Sequence, residues 1–316
     1  MWMILGVSRI PGLPHVVRTR CPWTGLGSRS MTAPPASPPP STGPADILLV
    51  SSPRNGVTTM TMNNPKKLNG WTLPMMQAMQ SGFQRLAQDP DTQVVILTGS
   101  DPYYCAGVNL SDTIRPMHPK TLHQQIYANN KRVFDTFLDF PKPIIIAANG
   151  PAIGASVTTA SLSDAIVASE KATFSTPFAR LSVPPEGCSS IHFARIMGPA
   201  SAQRLLGPEG WVPTAAEAHQ IGLVSEVVPH GELMARAQAL AEAWVQSGKK
   251  RWLVEQNAVE EYKAVNDKES RDLADAFLGS DFLLNQYHFL KSKNKTNLAL
   301  VFYFLYSTRN LWIKLV

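Results

Sequence analysis

The order of apolar and polar positions along the chain predicts short strands that alternate with longer helices. Val94 to Thr98 and Ile144 to Ala148 are continuous apolar runs, as in strands that are buried on both faces. Leu73 to Gln88 and His123 to Leu138 have the apolar spacing of helices. This alternation predicts an α/β domain with a mostly parallel sheet.

The beginning and the end of the domain differ from this middle part. Ile47 to Ser51 and Val57 to Met62 flank the turn Pro53-Arg54-Asn55-Gly56, which predicts an antiparallel hairpin. Another short strand is predicted at Asp164 to Ala168. From Cys188 onward the pattern is almost wholly helical.

Composition divides the chain into three parts. Residues 1–45 end in the linker PPASPPPSTGP, which builds neither a helix nor a sheet ladder, and are expected to be disordered. Residues 46–290 form the predicted domain, with its core at 46–230 and a helical part at 231–290. Residues 291–316 form an atypical basic and apolar tail. Its apolar run LALVFYFLY has nine residues, whereas a membrane-spanning helix needs about 20, so no stable membrane insertion is expected.

Charge and motifs exclude several classes of function. The net charge of +6 comes from the two ends, which carry +4 in residues 1–45 and +5 in residues 291–316, so residues 46–290 carry −3. A nucleic-acid partner is therefore not expected. Three widely spaced cysteines argue against a disulfide framework and a zinc site. No P-loop and no GxGxxG after a strand is present, so NTPase and dinucleotide-binding functions are not expected. The expected site contains no metal and no separate cofactor.

The first thirty residues predict the compartment. They contain arginines and no acidic residue, with hydrophobic residues between them, which resembles a mitochondrial transit peptide more than a secretory signal. The alternative is an N-terminus without targeting value, with Met31 as the true start.

Three turns after buried strands carry candidate chemistry, because α/β domains bind ligands at the carboxyl ends of strands. Cys105 to Leu110 contains small residues that let a ligand approach main-chain N–H groups, although a plain turn is the alternative. Asn149 to Ser156 opens a helix whose N-terminus suits an oxyanion, with tight packing as the alternative. Pro184 to Ser190 holds Glu186, and a lone loop glutamate is commonly just a solvated charge.

These turns belong to five ordered stretches that resemble the crotonase, or enoyl-CoA hydratase/isomerase, superfamily across residues 46–290. The stretches are NNPKKLNGWT, VVILTGSDPYYCAGVNL, FPKPIIIAANGPAIGASV, SDAIVASEKATFSTPFARLSVPPEGCSS and EAHQIGLVSEVV. The resemblance implies the crotonase (ClpP-like) fold, with repeated β-β-α units in a mostly parallel sheet and a C-terminal helical trimerisation region. It also implies a homotrimer or hexamer that acts on fatty acyl-CoA, with coenzyme A as part of the substrate.

The resemblance assigns roles to residues of the turns. Members of the family hold the thioester oxygen between two backbone N–H groups, and the matching residues here are Ala106 and Ala155. Such donors stabilise the enolate that forms when a proton beside the thioester is removed. Lys66 would contact the CoA nucleotide, with surface solvation as the alternative. The other implied substrate contacts are Gly107, Val108, Asn109, Leu110, Gly154, Phe178 and Leu68.

Carboxylates decide which reaction the resemblance implies. Family hydratases carry two glutamates, but the matching positions hold Thr158 and Phe178, which cannot activate water, so hydration should be slight. Glu186 matches the single glutamate of delta-3, delta-2-enoyl-CoA isomerases, which carries a proton between C2 and C4. Phe174 and Phe178 either form an apolar pocket that raises the pKa of Glu186 or are plain core aromatics. For Cys188, packing is favoured over a role as nucleophile.

The expected function is therefore isomerisation of 3-enoyl-CoA to trans-2-enoyl-CoA in beta-oxidation. One alternative is another acyl-CoA enzyme on this fold, such as a hydratase or thioesterase. A second is a non-catalytic acyl-CoA-binding relative, although chromatin-associated relatives lack a glutamate at the position of Glu186. The chain ends Ile313-Lys314-Leu315-Val316 rather than in a Ser-Lys-Leu-type signal, so the mitochondrial matrix is favoured over the peroxisome.

Overall fold

The structure, a computed structural model, describes residues 47–109 and 117–316. The predicted transit-like segment and linker at 1–45, and the predicted substrate contact Leu110, lie outside the described residues. The strands are β1 (Leu48–Val50), β2 (Val57–Met62), β3 (Val94–Gly99), β4 (Ile144–Ala148), β5 (Ala152–Ile153), β6 (Ala165–Ser169), β7 (Phe174–Ser175) and β8 (Glu226–Val228).

Helices separate and follow these strands. The first six are α1 (Leu73–Gln88), α2 (Pro119–Leu138), α3 (Ala155–Ser161), α4 (Ser189–Leu206), α5 (Ala215–Gln220) and α6 (Leu233–Ser247). The last five are α7 (Trp252–Glu255), α8 (Val259–Phe277), α9 (Ser280–Ser292), α10 (Thr296–Ser307) and α11 (Arg309–Trp312).

Six strands form one mostly parallel sheet in the order β1-β2-β3-β4-β6-β8. Only the β1–β2 pair is antiparallel among these strands, as the predicted hairpin requires. The short strands β5 and β7 pair in parallel as a second sheet. Because β2, β3 and β4 run in the same direction, the turns that follow β3 and β4 emerge at one edge of the sheet.

The sheet is covered on both faces, which explains its continuous apolar strands. Val95 and Leu97 point into the larger core, while Val94 and Ile96 point into a second core. Leu233, Ala237 and Ala241 of α6 complete this second core. The predicted division at residue 230 therefore does not separate two packing units, because the first helix of the predicted helical part covers the sheet.

Most predicted elements agree with the structure. Helix α1 and strand β4 have the predicted bounds, whereas α2 begins at Pro119, four residues before the predicted start at His123. Proline favours the first turn of a helix because its missing N–H has no partner to lose there. The expectation of almost wholly helical structure after Cys188 is wrong at β8, a three-residue strand that pairs with β6.

The predicted tail forms helices that pack against the domain. In α10, Ala299 is buried, and the Phe302 and Tyr303 rings contact Phe282 and Tyr287 of α9. The outer face of α10 exposes apolar side chains, of which Phe304 is 64% exposed. Across residues 47–109 and 117–316, no helix combines the length and apolar character needed to cross a membrane.

Candidate active site

Residues 100–109, which follow β3, reach the site as a loop whose conformation depends on glycine. Gly107 has φ +78°, and a Cβ there would lie 2.5 Å from the carbonyl oxygen of Ile153. Both conditions favour glycine over any other residue. The close approach brings this loop against the segment between β5 and α3, which is the second predicted turn.

Hydrogen bonds in this loop decide which N–H groups face a ligand. The Ala106 N–H donates to the carbonyl of Leu68 at 3.0 Å, so the prediction of Ala106 as an oxyanion donor is wrong for this geometry. Trp71 donates to the Gly107 carbonyl at 2.8 Å and accepts from Asn109 at 2.9 Å. In a parallel pairing of this kind, the residue between the two bonds points its own N–H to the opposite side.

That residue is Val108, which forms a parallel bridge with Trp71. Its N–H finds no acceptor within the described part of the chain. Val108 also borders the cavity that contains Glu186. The loop therefore offers the N–H of Val108, two residues beyond the predicted donor.

The second turn presents an N–H at the start of α3. Gly154 precedes the helix with φ +62°, and Ala155 is its first residue. No described residue accepts from the N–H of Ala155, as is usual in the first turn of a helix. Ser156 joins the two turns, because its hydroxyl accepts from the Ile153 N–H at 2.9 Å and donates to the Cys105 carbonyl at 3.1 Å.

The third turn carries Glu186 into the same cavity. Its side chain is 8% exposed and lines the cavity together with Val108 and Ala155. Gly187 follows with φ +68°, and a Cβ there would overlap the Phe134 ring and lie 2.7 Å from Thr158 Oγ1. The Glu186 loop is thus pressed against α2 and α3.

The Glu186 carboxyl is in a poor environment for charge. Burial, and secondarily the nearby carboxylate of Glu269, raises the pKa of Glu186 from its ordinary value of 4.5 to about 8. No side chain in residues 47–109 or 117–316 donates a hydrogen bond to this carboxyl. A carboxylate with a raised pKa and without such bonds is a stronger base than an exposed glutamate.

The cavity itself is apolar and has a volume of about 130 Å³. Helices α2 and α8 and the segment after β7 supply most of its wall, and sequence patterns did not predict the contribution of the two helices. Glu186 is the one carboxylate among the described residues that line the cavity. The larger apolar side chains around the cavity include Met76, Leu122, Ile126, Val133, Phe178, Leu181, Val183, Leu273, Phe277 and Phe289.

The predicted contacts divide into two groups. Ala106, Gly107, Val108, Gly154, Ala155, Phe178 and Glu186 line the cavity. Lys66, Leu68 and Asn109 do not line the cavity. The Leu68 carbonyl accepts the Ala106 N–H, and the Asn109 N–H donates to the Trp71 carbonyl. Lys66 lies in an exposed turn at Pro65–Lys67 and remains a predicted contact for the CoA nucleotide.

Three predicted side chains are explained by packing. Phe174 is fully buried in the larger core and does not line the cavity, so of its two expected roles the structure supports that of a core aromatic. Thr158 is fully buried, and its hydroxyl donates to the Ala155 carbonyl at 3.1 Å. Cys188 is buried, its thiol donates to the Tyr262 carbonyl, and burial raises its thiol pKa, which confirms packing over a nucleophilic role.

Comparison with known proteins agrees with this arrangement. The family description "Enoyl-CoA hydratase/isomerase" matches residues 52–282. Enoyl-CoA delta isomerase 2 of Homo sapiens is 34% identical over 255 residues, which cover 78% of this chain and 64% of that protein. Chromodomain Y-like protein of Rattus norvegicus is 34% identical over 61% of this chain and 34% of its own length. The chain thus spans about 64% of the isomerase that it matches.

Solved structures share the fold. The crystal structure of an enoyl-CoA hydratase/isomerase from Pseudoalteromonas atlantica superposes with a TM-score of 0.68 at 27% identity. The match covers 78% of this chain and 98% of that one. The predicted crotonase fold is therefore confirmed. The family match extends over most of the chain and includes the three turns that meet at the cavity, so the chain belongs to the enoyl-CoA hydratase/isomerase family.

Proposed function

We propose that the protein is a delta-3, delta-2-enoyl-CoA isomerase that uses Glu186 as its single acid/base. The observation that carries this proposal is one buried carboxyl, with a pKa raised to about 8, in an apolar cavity bordered by two N–H donors. The similarity to an enoyl-CoA delta isomerase supports the same reaction.

The reaction needs only these groups. The Glu186 carboxylate removes a proton from C2 of a 3-enoyl-CoA, and the electrons of that C–H bond form a dienolate with negative charge on the thioester oxygen. The protonated Glu186 then gives the proton to C4, so that the double bond lies between C2 and C3. No atom is gained or lost, and the carboxylate is regenerated.

The developing charge on the thioester oxygen requires donors that are in place before the reaction. The N–H groups of Val108 and Ala155 meet this need because nothing in the described structure accepts from either. Preorganised donors of this kind stabilise an oxyanion by about 3–4 kcal/mol each when measured by removal. The surrounding apolar wall strengthens the interaction by excluding water.

Hydration is the main alternative, and the surroundings of Glu186 disfavour it. Addition of water needs a second group that positions or activates the water molecule. At the two positions that match the glutamates of family hydratases, Thr158 is buried and its hydroxyl donates to the Ala155 carbonyl, and Phe178 is apolar. A carboxylate that works alone is sufficient for proton transfer between two carbons.

A non-catalytic binding module is the second alternative, because Chromodomain Y-like protein matches the same domain. Glu186 distinguishes an isomerase from a binding module. A binding module has no need for an unpaired buried carboxyl, which burial makes unfavourable to ionise, whereas an acid/base uses this property.

The test is an isomerase assay of the full chain with trans-3-hexenoyl-CoA, with hydration of crotonyl-CoA measured alongside. A short six-carbon chain is chosen because the cavity has a volume of about 130 Å³ and an apolar lining. Glu186→Gln should lower isomerisation by about 10³-fold, while Glu255→Gln, an exposed glutamate of α7, should change it less than twofold. Binding of acyl-CoA without turnover by the wild type would support the binding module, and dominant hydration would support a hydratase.

A further inference from the structure

Glu269 is a second buried carboxylate whose bonds lead to the Glu186 loop. It lies on α8, and its side chain is only 4% exposed. Its Oε2 accepts the N–H of Cys188 at 2.6 Å, and its Oε1 accepts the N–H of Ser190 at 3.0 Å. One carboxylate thus binds two backbone amides about 80 residues away in sequence, and these lie two and four residues after Glu186.

The backbone between Glu186 and α4 needs an outside partner. Gly187 and Cys188 both have positive φ, +68° and +63°, and this conformation is uncommon for a residue such as cysteine. The Cys188 side chain provides no cap for α4. The first N–H groups of a helix have no partner within the helix, and here Glu269 accepts from two amides at this end.

The opposite side of the loop is also fixed. Gly187 lies against the Phe134 ring of α2 and the Thr158 hydroxyl of α3. Ser189 donates through its hydroxyl to the Glu186 carbonyl at 2.7 Å. The loop therefore sits between packed side chains on one side and the Glu269 carboxylate on the other.

Helix α8 connects this clamp with the wall of the cavity. Leu273 and Phe277, which line the cavity, follow Glu269 by one and two turns on the same face of the helix. The helix that holds the loop of the acid/base is thus also a helix that contacts the space for the acyl chain.

We propose that Glu269 is a positioning residue that holds the Glu186 carboxyl in the cavity by binding the amides of Cys188 and Ser190. This inference rests on the proposed role of Glu186 as acid/base. Glu269 does not touch the reacting atoms. It acts through the two amides, and its negative charge lies close to the carboxyl that must accept a proton.

The charge has a consequence that a purely structural residue would not have. The Glu269 carboxylate contributes to the raised pKa of Glu186, after burial. Burial raises the pKa of Glu269 itself, while hydrogen bonds from the Ser190 side chain and from the amides of Ser190 and Cys188 oppose this shift. The other titratable groups near the pair are Cys188 on the loop, and Lys268 and Asp272 on α8 together with Asp135 on α2.

Glu269→Gln tests the proposal because it keeps the shape of the side chain, removes the charge and leaves one oxygen for two amides. We expect kcat to fall about 10-fold with KM changed less than threefold, since a small displacement of a reacting group has large effects on rate. The acidic limb of the pH profile should move to lower pH, because the neighbouring negative charge is gone. Glu260→Gln, an exposed position on the same helix, is the matched control and should leave both unchanged.

An unchanged kcat or an unchanged acidic limb in folded Glu269→Gln would overturn the proposal. Glu186→Gln is assayed in parallel, so that failure of the proposed reaction is recognised separately. Amide hydrogen exchange of residues 186–192 provides a readout that does not depend on activity, and exchange should be faster in Glu269→Gln than in Glu260→Gln. Equal exchange in the two variants would also contradict the clamp.

Discussion

Replacing Glu186 with glutamine should stabilise the protein at high pH while it removes most of the proposed activity. The folded state raises the pKa of Glu186 from 4.5 to about 8, because burial disfavours the carboxylate. The folded protein therefore binds more protons at this site than the unfolded chain between these two pH values. It follows that the wild type loses stability as the pH rises through this window.

The magnitude follows from the size of the shift. One pKa unit corresponds to about 1.4 kcal/mol, so the penalty reaches up to about 5 kcal/mol above pH 8. Between pH 6 and pH 8 the free energy of unfolding should fall by about 2 kcal/mol in the wild type relative to Glu186→Gln. Titrating groups that do not interact with Glu186 behave alike in both proteins and cancel in this difference.

The assay is urea unfolding of the full chain at several pH values between 5.5 and 8.5. The protomer concentration is kept constant, because assembly links stability to concentration. Glu255→Gln, which changes an exposed glutamate, should show no pH-dependent difference from the wild type. If Glu186→Gln is less stable than the wild type at pH 8, or if the difference does not depend on pH, the reasoning about burial is wrong.

Two further predictions concern the loop and the N-terminal segment. Gly107→Ala should lower the free energy of unfolding by about 1–3 kcal/mol and reduce isomerisation, because its φ is +78° and its Cβ would lie 2.5 Å from the Ile153 carbonyl. Gly231→Ala, where a Cβ meets open space, is the control, and equal unfolding curves for the two variants would contradict this. Residues 1–45 should direct a fused fluorescent protein to mitochondria, and a diffuse signal would refute the targeting prediction.

Local signals in the sequence explain why parts of the fold were predictable. Helix α1 begins where expected because Thr72 caps it, with its hydroxyl oxygen accepting the Met75 N–H at 3.3 Å. Strand β4 is buried on both faces, so its apolar run is continuous. Strand β8 has three residues and half-buried positions, and a segment this short carries no usable periodicity.

The candidate site was predictable only as far as its residues lie in recognisable turns. Glu186 and Ala155 occupy the expected places at the cavity. The other N–H donor to the oxyanion lies in the extended loop after β3. Successive N–H groups of such a loop point to opposite sides, so the donor depends on which of them face the cavity. That direction is set by the pairing of Val108 with Trp71, a contact between segments 37 residues apart, so a pattern within the loop could not distinguish Val108 from Ala106.

The sequence pattern of helix α8 explains why no role was predicted for Glu269. The buried face of α8 repeats at helical spacing, but half of its members are polar. These buried residues are Tyr262, Asn266, Glu269, Ser270, Leu273 and Ala274. Read alone, such a helix is typical of a solvated surface, because buried polar groups require partners that the helix itself does not contain.

The partners lie on other elements. Asn266 donates to the Lys131 carbonyl and to Asp135 of α2, and Ser270 accepts from Asn130 of the same helix. Glu269 instead accepts from the two amides that follow Glu186. Through the three buried residues Asn266, Ser270 and Glu269, α8 is thus held to α2 in two places and to the Glu186 loop in one. Because α2 and α8 also form the wall of the cavity, a change in this face should alter the acid/base and the acyl pocket together.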